Sequence, residues 1–235
     1  MLEYNIPVYL SIQKEKLNID KYLIAKSAGY PEGTVPEYFL EIIQSEFKNA
    51  INKIDIKTGY LIIDKRDFQL NEKGFNISNI FFNTGKIIAN QLKGSEGIII
   101  FSASVGTYFD KEIKMAFESG DAVKGLIIDT IGSELVERLG AETELFLKSE
   151  FLKMGLNLTN RLSPGYCEWN VSEQQILFGL LPKDFCNITL NEAFMMFPIK
   201  SISGVIGYGK DVINKEYACK ICGMEYCYKR NLLYS

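Results

Sequence analysis

The stretch EGIIIFSASVG, residues 96–106, is a continuous apolar run that ends in small residues. A short apolar run bounded by glycines is typical of a buried strand. Before it, FNTGKIIANQLKGS (82–95) has helical spacing and closes near Gly94. After it, YFDKEIKMAFESGD (108–121) predicts a second helix that stops at Gly120. The pattern therefore predicts a strand, the clearest in the chain, with one helix before it and one after it in the sequence.

The rest of the chain mixes helical and strand patterns. Helices are predicted over 35–54, 122–154 and 172–181. The first has Pro36 in its first turn, and the last has Ser172 as its N-cap. For the helix over 122–154, the sequence leaves open whether it breaks at Gly140. Strands are predicted at 58–64 and within 188–209. The class is α+β, with one domain over 1–210 and a Cys-rich metal-binding tail over 211–235.

Composition excludes several classes of function. Of the 235 residues, 47% are hydrophobic, which is enough to bury a core, and a net charge of −3 argues against a nucleic-acid partner. The sequence shows neither a membrane-spanning apolar run nor a signal segment, so we expect a cytoplasmic protein with no membrane partner. The chain has no histidine, which excludes His-based triads and the usual catalytic zinc sites.

Two glutamates fall within the apolar stripe of the long predicted helix. On a helical wheel that stripe comprises Val123, Ile127, Thr130, Glu134, Glu137, Ala141 and Leu145. Burying a carboxylate is costly unless a cation or hydrogen-bond donors meet it. The two acids therefore indicate either structural ion pairs or the wall of a pocket that takes a cationic ligand.

The sequence RLSPGYCEW, residues 161–169, combines groups suited to ligand binding. Arg161 offers a planar fork for a carboxylate, and Tyr166 offers an aromatic face and a hydroxyl. Pro164 and Gly165 predict a turn with exposed backbone groups. The alternative is a structural turn in which Arg161 pairs with a core acid and Tyr166 packs.

This stretch resembles the activation domain of cobalamin-dependent methionine synthase, whose Arg-x-x-x-Gly-Tyr element matches Arg161, Gly165 and Tyr166. A second segment, LNEAFMMFPIKSISGVIG (190–207), resembles the Leu-Thr-Glu-Ser-x-x-Met-x-Pro-x-x-Ser-Val-Ser-Gly element of the family. The matching positions are Thr189, Leu190, Glu192, Met196, Pro198, Ser201, Ser203 and Gly204. The similarity covers about residues 80–210 and is greatest to shorter, free-standing relatives. It departs from the family at Cys167-Glu168-Trp169, where the family has Cys-Pro, and in the N-terminal portion, which has no match.

The resemblance implies an antiparallel sheet with flanking helices and a site for S-adenosylmethionine. The ligand residues that it implies are Arg161, Ser163, Gly165 and Tyr166, together with either Glu134 or Glu137. It further implies a protein that supports reductive methylation of a cobalamin-dependent methyltransferase. The cobalamin would be carried by that partner corrinoid protein, with an electron-transfer protein as a further partner.

Two other functions compete with this interpretation. One is a non-catalytic docking subunit that uses a zinc-stapled tail to bind a corrinoid protein or methyltransferase. The other is a self-contained methyltransferase that uses S-adenosylmethionine on another acceptor.

The tail YACKICGMEYCYKR (217–230) spaces three thiols as Cys-x2-Cys-x4-Cys. The pair Cys219 and Cys222 has the spacing that lets two thiolates share one metal, and Cys227 supplies a third ligand. The fourth ligand is either Cys167 or Cys186. The pattern predicts zinc or an iron–sulfur cluster, against the alternative of unmetallated thiols.

Overall fold

The computed structural model describes residues 4–31 and 33–213, which form a mixed α+β fold. Within them the strands are β1 (Pro7–Leu10), β2 (Lys57–Ile63), β3 (Phe68–Asn71), β4 (Gly74–Ile77), β5 (Ile80–Phe82), β6 (Gly97–Ser104), β7 (Asn157–Leu158), β8 (Thr189–Leu190), β9 (Met196–Phe197) and β10 (Ser201–Gly209). The α-helices are α1 (Lys21–Ser27), α2 (Glu37–Lys53), α3 (Gly85–Gln91), α4 (Tyr108–Glu118), α5 (Ala122–Leu152) and α6 (Gln174–Gly179). Short 3-10 helices span Lys14–Leu17, Val171–Glu173 and Phe185–Asn187.

The main sheet has the strand order β1-β2-β6-β10-β7, and each neighbouring pair is antiparallel. β6 lies at its centre, where Ile100 faces Leu61 of β2 on one side and Val205 of β10 on the other. The predicted α+β class, with an antiparallel sheet and flanking helices, is confirmed. The stretch 96–106 is a strand, as predicted, and the structure places it at the centre of the sheet.

Every residue of β6 is buried, because both faces of the sheet are covered. Side chains alternate across a strand, so Ile98 and Ile100 enter one core while Ile99 and Phe101 enter another. The first core lies under the three-stranded sheet β3-β4-β5 and α6, and the second lies under the C-terminal half of α5. A strand covered on both faces is expected to be continuously apolar, which explains the run IIIF.

Helix α5 is 31 residues long and continues through Gly140 without interruption. Its N-cap is Asp121, whose carboxylate accepts a hydrogen bond from the Lys124 backbone N–H at 3.0 Å. The alternative in which this helix breaks at Gly140 is therefore wrong.

The apolar stripe assigned to α5 is also wrong at its ends, since Val123 and Leu145 are exposed. The N-terminal half of α5 packs against α1, α2 and the start of α4, whereas Leu147 and Phe151 pack on the sheet. The side of α5 that is buried therefore changes along its length, so one helical wheel does not describe the whole helix. Glu134 and Glu137 lie at its border and are partly exposed.

Two predicted helix starts also differ from the structure. The segment 82–95 begins as the end of β5, and its helix starts only at Gly85. Near residue 172 the capping residue is Asn170, whose side chain accepts from the Ser172 N–H at 2.9 Å, so Ser172 is not the N-cap.

None of the helices in the described ranges is long and apolar enough to cross a membrane. Residues 214–235 lie outside the described residues, and with them Cys219, Cys222 and Cys227. The tail and its metal therefore stay predictions.

Candidate functional site

The motif begins on a short extended segment beside β10. Leu162 exchanges two backbone hydrogen bonds with Val205, of 2.9 and 2.7 Å, and its side chain enters the core under β3-β4-β5. Because alternate residues of an extended chain point to opposite sides, Arg161 points towards α5.

Two carboxylates of α5 hold the Arg161 guanidinium. Its Nε donates to Glu144 Oε2 at 3.0 Å, and its Nη2 donates to Glu137 Oε2 at 3.3 Å. The side chains of Arg161, Glu144 and Glu137 are 17%, 13% and 29% exposed, so all three are largely withdrawn from water. Glu144 also binds Lys148, with 2.8 Å between Oε1 and Nζ.

Gly140 makes room for this arrangement. It lies between Glu137 and Glu144 on α5, and a Cβ added there would be 2.3 Å from Arg161 Nη1 and 2.3 Å from Ile202 Cδ1. Only a residue without a side chain lets the guanidinium approach the helix this closely. Gly140 is thus a contact residue rather than a helix breaker.

The two candidate glutamates have different neighbours. Glu137 contacts Arg161, whereas Glu134 accepts a hydrogen bond from the Ser27 hydroxyl at the end of α1, at 2.7 Å. The structure therefore brings Glu137 to the motif and places Glu134 against α1. Glu144, which the sequence analysis did not select, is the second acid of the site.

The residues after Leu162 form a tight turn. Gly165 has a positive φ of 91°, its N–H donates to the Trp169 carbonyl at 2.8 Å, and the Tyr166 N–H donates to the Ser163 carbonyl at 3.3 Å. A Cβ on Gly165 would meet nothing closer than Val171 at 3.9 Å, and the Tyr166 side chain is 40% exposed. The turn thus leaves an open surface next to an exposed aromatic ring.

The residues that replace the family's Cys-Pro anchor this turn to the rest of the fold. Glu168 Oε2 accepts from the Lys86 N–H at the start of α3, at 3.1 Å. Trp169 is fully buried, and its indole N–H donates to Glu173 at 2.8 Å, while Glu173 also accepts from the Asn83 N–H at 3.0 Å. The Trp169 side chain is therefore structural.

The second resembling segment contributes to the core. Ser201 Oγ donates to the Pro198 carbonyl at 2.7 Å, and Ser203 Oγ donates to Gln174 at 3.2 Å. Both serines are buried on β10.

Lys200 forms a second cation site on α5 that the sequence analysis did not identify. Its Nζ lies 2.7 Å from Asp129 Oδ1 and 2.9 Å from Ser133 Oγ. The only sequence clue is a lysine directly before an apolar strand.

The two described cysteines differ in burial. Cys186 is buried, its Sγ donates to the Ser102 carbonyl at 3.5 Å, and burial raises the pKa of the thiol to about 11. The thiol is therefore protonated at neutral pH unless a bound metal displaces the proton. Cys167 is half-buried beside Tyr166. Among the described residues, no three Cys, Asp or Glu side chains lie together as a metal site.

Comparison with known proteins supports the fold. No family model and no curated protein matches the chain. Among solved structures, the reactivation domain of MetH bound to AdoHcy is similar, with a TM-score of 0.59 and 15% identity over 89% of this chain and 80% of that chain. The chain therefore has the fold of the methionine synthase activation domain.

Proposed function

We propose that this protein binds S-adenosylmethionine between α5 and the turn at 163–166 and supports reductive methylation of a corrinoid protein. The observation that carries the proposal is the meeting of Glu137 with Arg161 beside the open turn, in a fold whose solved relative was bound to AdoHcy. The Arg161 fork suits the ligand's carboxylate, and Glu137 suits its ammonium or sulfonium charge.

The chemistry assigned to the partner follows from the ligand. The ligand would supply a methyl group from its sulfonium sulfur, and a partner-held cobalamin, reduced from the cob(II) state by a one-electron donor, would accept it, leaving S-adenosylhomocysteine. We assign the cobalamin to the partner corrinoid protein, as the resemblance of the sequence motifs implies. The contribution of Arg161, Glu137 and Tyr166 is to bind and orient the sulfonium.

A second function is favoured by a specific observation: Arg161 already has two acid partners within the chain. This agrees with a docking subunit that keeps the fold without binding the ligand.

We also propose a metal held by Cys219, Cys222, Cys227 and Cys167, which would tie the tail to the turn.

The test is titration calorimetry with S-adenosylhomocysteine on a sample whose metal content is measured first. We expect the wild-type chain to bind and Arg161→Met to lose about 100-fold or more in affinity, because a charged hydrogen-bond partner is removed. Lys200→Met is the matched control, because it removes the second cation that contacts acids of α5 from outside the helix. This variant should bind S-adenosylhomocysteine normally. A wild-type chain without affinity would favour the docking subunit, and a sample free of zinc and iron would reject the metal.

A further inference from the structure

The main sheet carries a cleft at its β1 edge, on the far side of β6 from Arg161. The cleft has a volume of about 480 Å³ and is lined by residues 9–12 and 56–58, around the last pair of the β1–β2 ladder, and by Asn187. Clefts of this size hold small organic molecules. The cleft is therefore a candidate ligand site separate from the one between α5 and the turn at 163–166.

The direction of the side chains on β2 decides which groups face the cleft. Thr58 points towards α5, where its Oγ1 lies 3.0 Å from Oγ1 of Thr143. Because side chains alternate across a strand, Lys57 and the residue paired with Gly59, Tyr9, point to the opposite face. On that face the Phe185 ring lies 4.8 Å from the Tyr9 ring. The cleft is thus bordered by an ammonium group and by an aromatic ring that is packed on Phe185.

Lys57 is the only charged side chain among the described residues that line the cleft. Its Nζ lies 3.4 Å from Asp55 Oδ1, and the two side chains are 43% and 65% exposed. An ion pair this open to water contributes at most about 1 kcal/mol. Turning the ammonium from Asp55 to an anion in the cleft therefore costs little.

Asn187 and Ser11 add neutral hydrogen-bonding groups. Asn187 has a φ of 57° and the preceding Cys186 a φ of 56°, a left-handed conformation that a cysteine rarely adopts. Such strained residues are concentrated where a loop presents a side chain to a ligand. The side chains of Asn187 and Ser11 are exposed, and within residues 4–31 and 33–213 neither has a hydrogen-bond partner. Both are available to a ligand.

We propose that this cleft binds a small, flat aromatic acid with one negative charge. The ring of the ligand lies against Tyr9, which is 60% exposed and is supported from behind by Phe185. The acid group accepts from Lys57, with Ser11 and Asn187 as neutral donors. A ligand with a second negative charge finds no second cation lining the described part of the cleft. This inference goes beyond the proposed function and does not depend on it.

The test is a fluorescence titration of the full chain with two probes. Anilinonaphthalenesulfonate is a flat aromatic anion with one sulfonate, and phenylnaphthylamine is the same ring system without the sulfonate. We expect the sulfonate probe to bind about tenfold more tightly, because only this probe pairs with the Lys57 ammonium. Lys57→Met should remove the difference by weakening the sulfonate probe alone. Ser11→Phe fills the cleft from an exposed position and should weaken both probes about tenfold.

Lys14→Met is the matched control. It removes the same charge from a lysine that lies outside the cleft, 3.5 Å from the Asn52 carbonyl, and should leave both affinities unchanged. Equal affinities of the wild-type chain for the two probes would overturn the proposal, as would equal losses in the Lys14 and Lys57 variants. Displacement of the sulfonate probe by S-adenosylhomocysteine would also overturn it, since the probe would then occupy the turn at 163–166.

Discussion

Helix α5 holds two cations in similar ways. Arg161 lies against Gly140 and Lys200 lies against Gly132, so that in each case a glycine lets a long cationic side chain approach the helix. The acids differ. Lys200 has one carboxylate, Asp129, which is 46% exposed, whereas Arg161 has two that are much more buried. One acid suffices to pair with one cation, so the second acid sets the Arg161 group apart from the Lys200 group.

The largest expected difference between the two cations is in stability. Arg161→Met removes the cation from between two shielded carboxylates and should lower the free energy of unfolding by about 3 kcal/mol. Lys200→Met leaves only the half-exposed Asp129 and should cost about 1 kcal/mol, because water solvates that acid. Urea denaturation of both variants checks this. If both variants lost the same free energy of unfolding, the proposed difference between the Arg161 and Lys200 groups would be wrong.

The two glycines should separate binding from packing. A Cβ at position 140 meets the end of a flexible guanidinium and the Cδ1 of Ile202, whereas at 132 it meets the buried Phe109 ring and the Lys200 stem, each at 2.9 Å. Gly140→Ala should keep stability within about 1 kcal/mol, because helix propensity offsets the strain, but weaken S-adenosylhomocysteine binding. Gly132→Ala should destabilise the fold by about 1–2 kcal/mol and leave binding intact. Thermal unfolding and calorimetry on both variants test this prediction. It would be contradicted if Gly132→Ala weakened binding while Gly140→Ala destabilised the fold.

The smallest effect concerns the neutral partner of Lys200. Ser133→Ala removes one hydrogen bond to Nζ and should lower the free energy of unfolding by about 1 kcal/mol or less, with ligand affinity unchanged. Chemical denaturation measures it. A change in affinity would mean that the Lys200 group belongs to the ligand site after all.

The sequence predicted the architecture better than the site. The apolar run of β6 and the predicted helices, apart from two of their starts, are local patterns that the structure confirmed, as was the sheet that the resemblance implied. The role of Gly140 was not predictable, because it depends on Arg161, which lies 21 residues away in the sequence and reaches α5 only through pairing with β10. Glu144 was missed for the same reason. The choice between Glu134 and Glu137 likewise depended on α1, whose Ser27 meets the first of them.

The residues after Tyr166 give the turn a different kind of rigidity from the one that proline gives. A proline restricts the chain in the unfolded state as well, so part of the ordering entropy is already lost before folding. Here Glu168 and Trp169 add to the backbone hydrogen bonds of the turn through partners on α3 and around β5, which exist only once those elements have assembled. Part of the order of the turn therefore depends on α3 and the three-stranded sheet, and local unfolding of those elements would remove the contacts of Glu168 and Trp169 while the acids on α5 still hold Arg161.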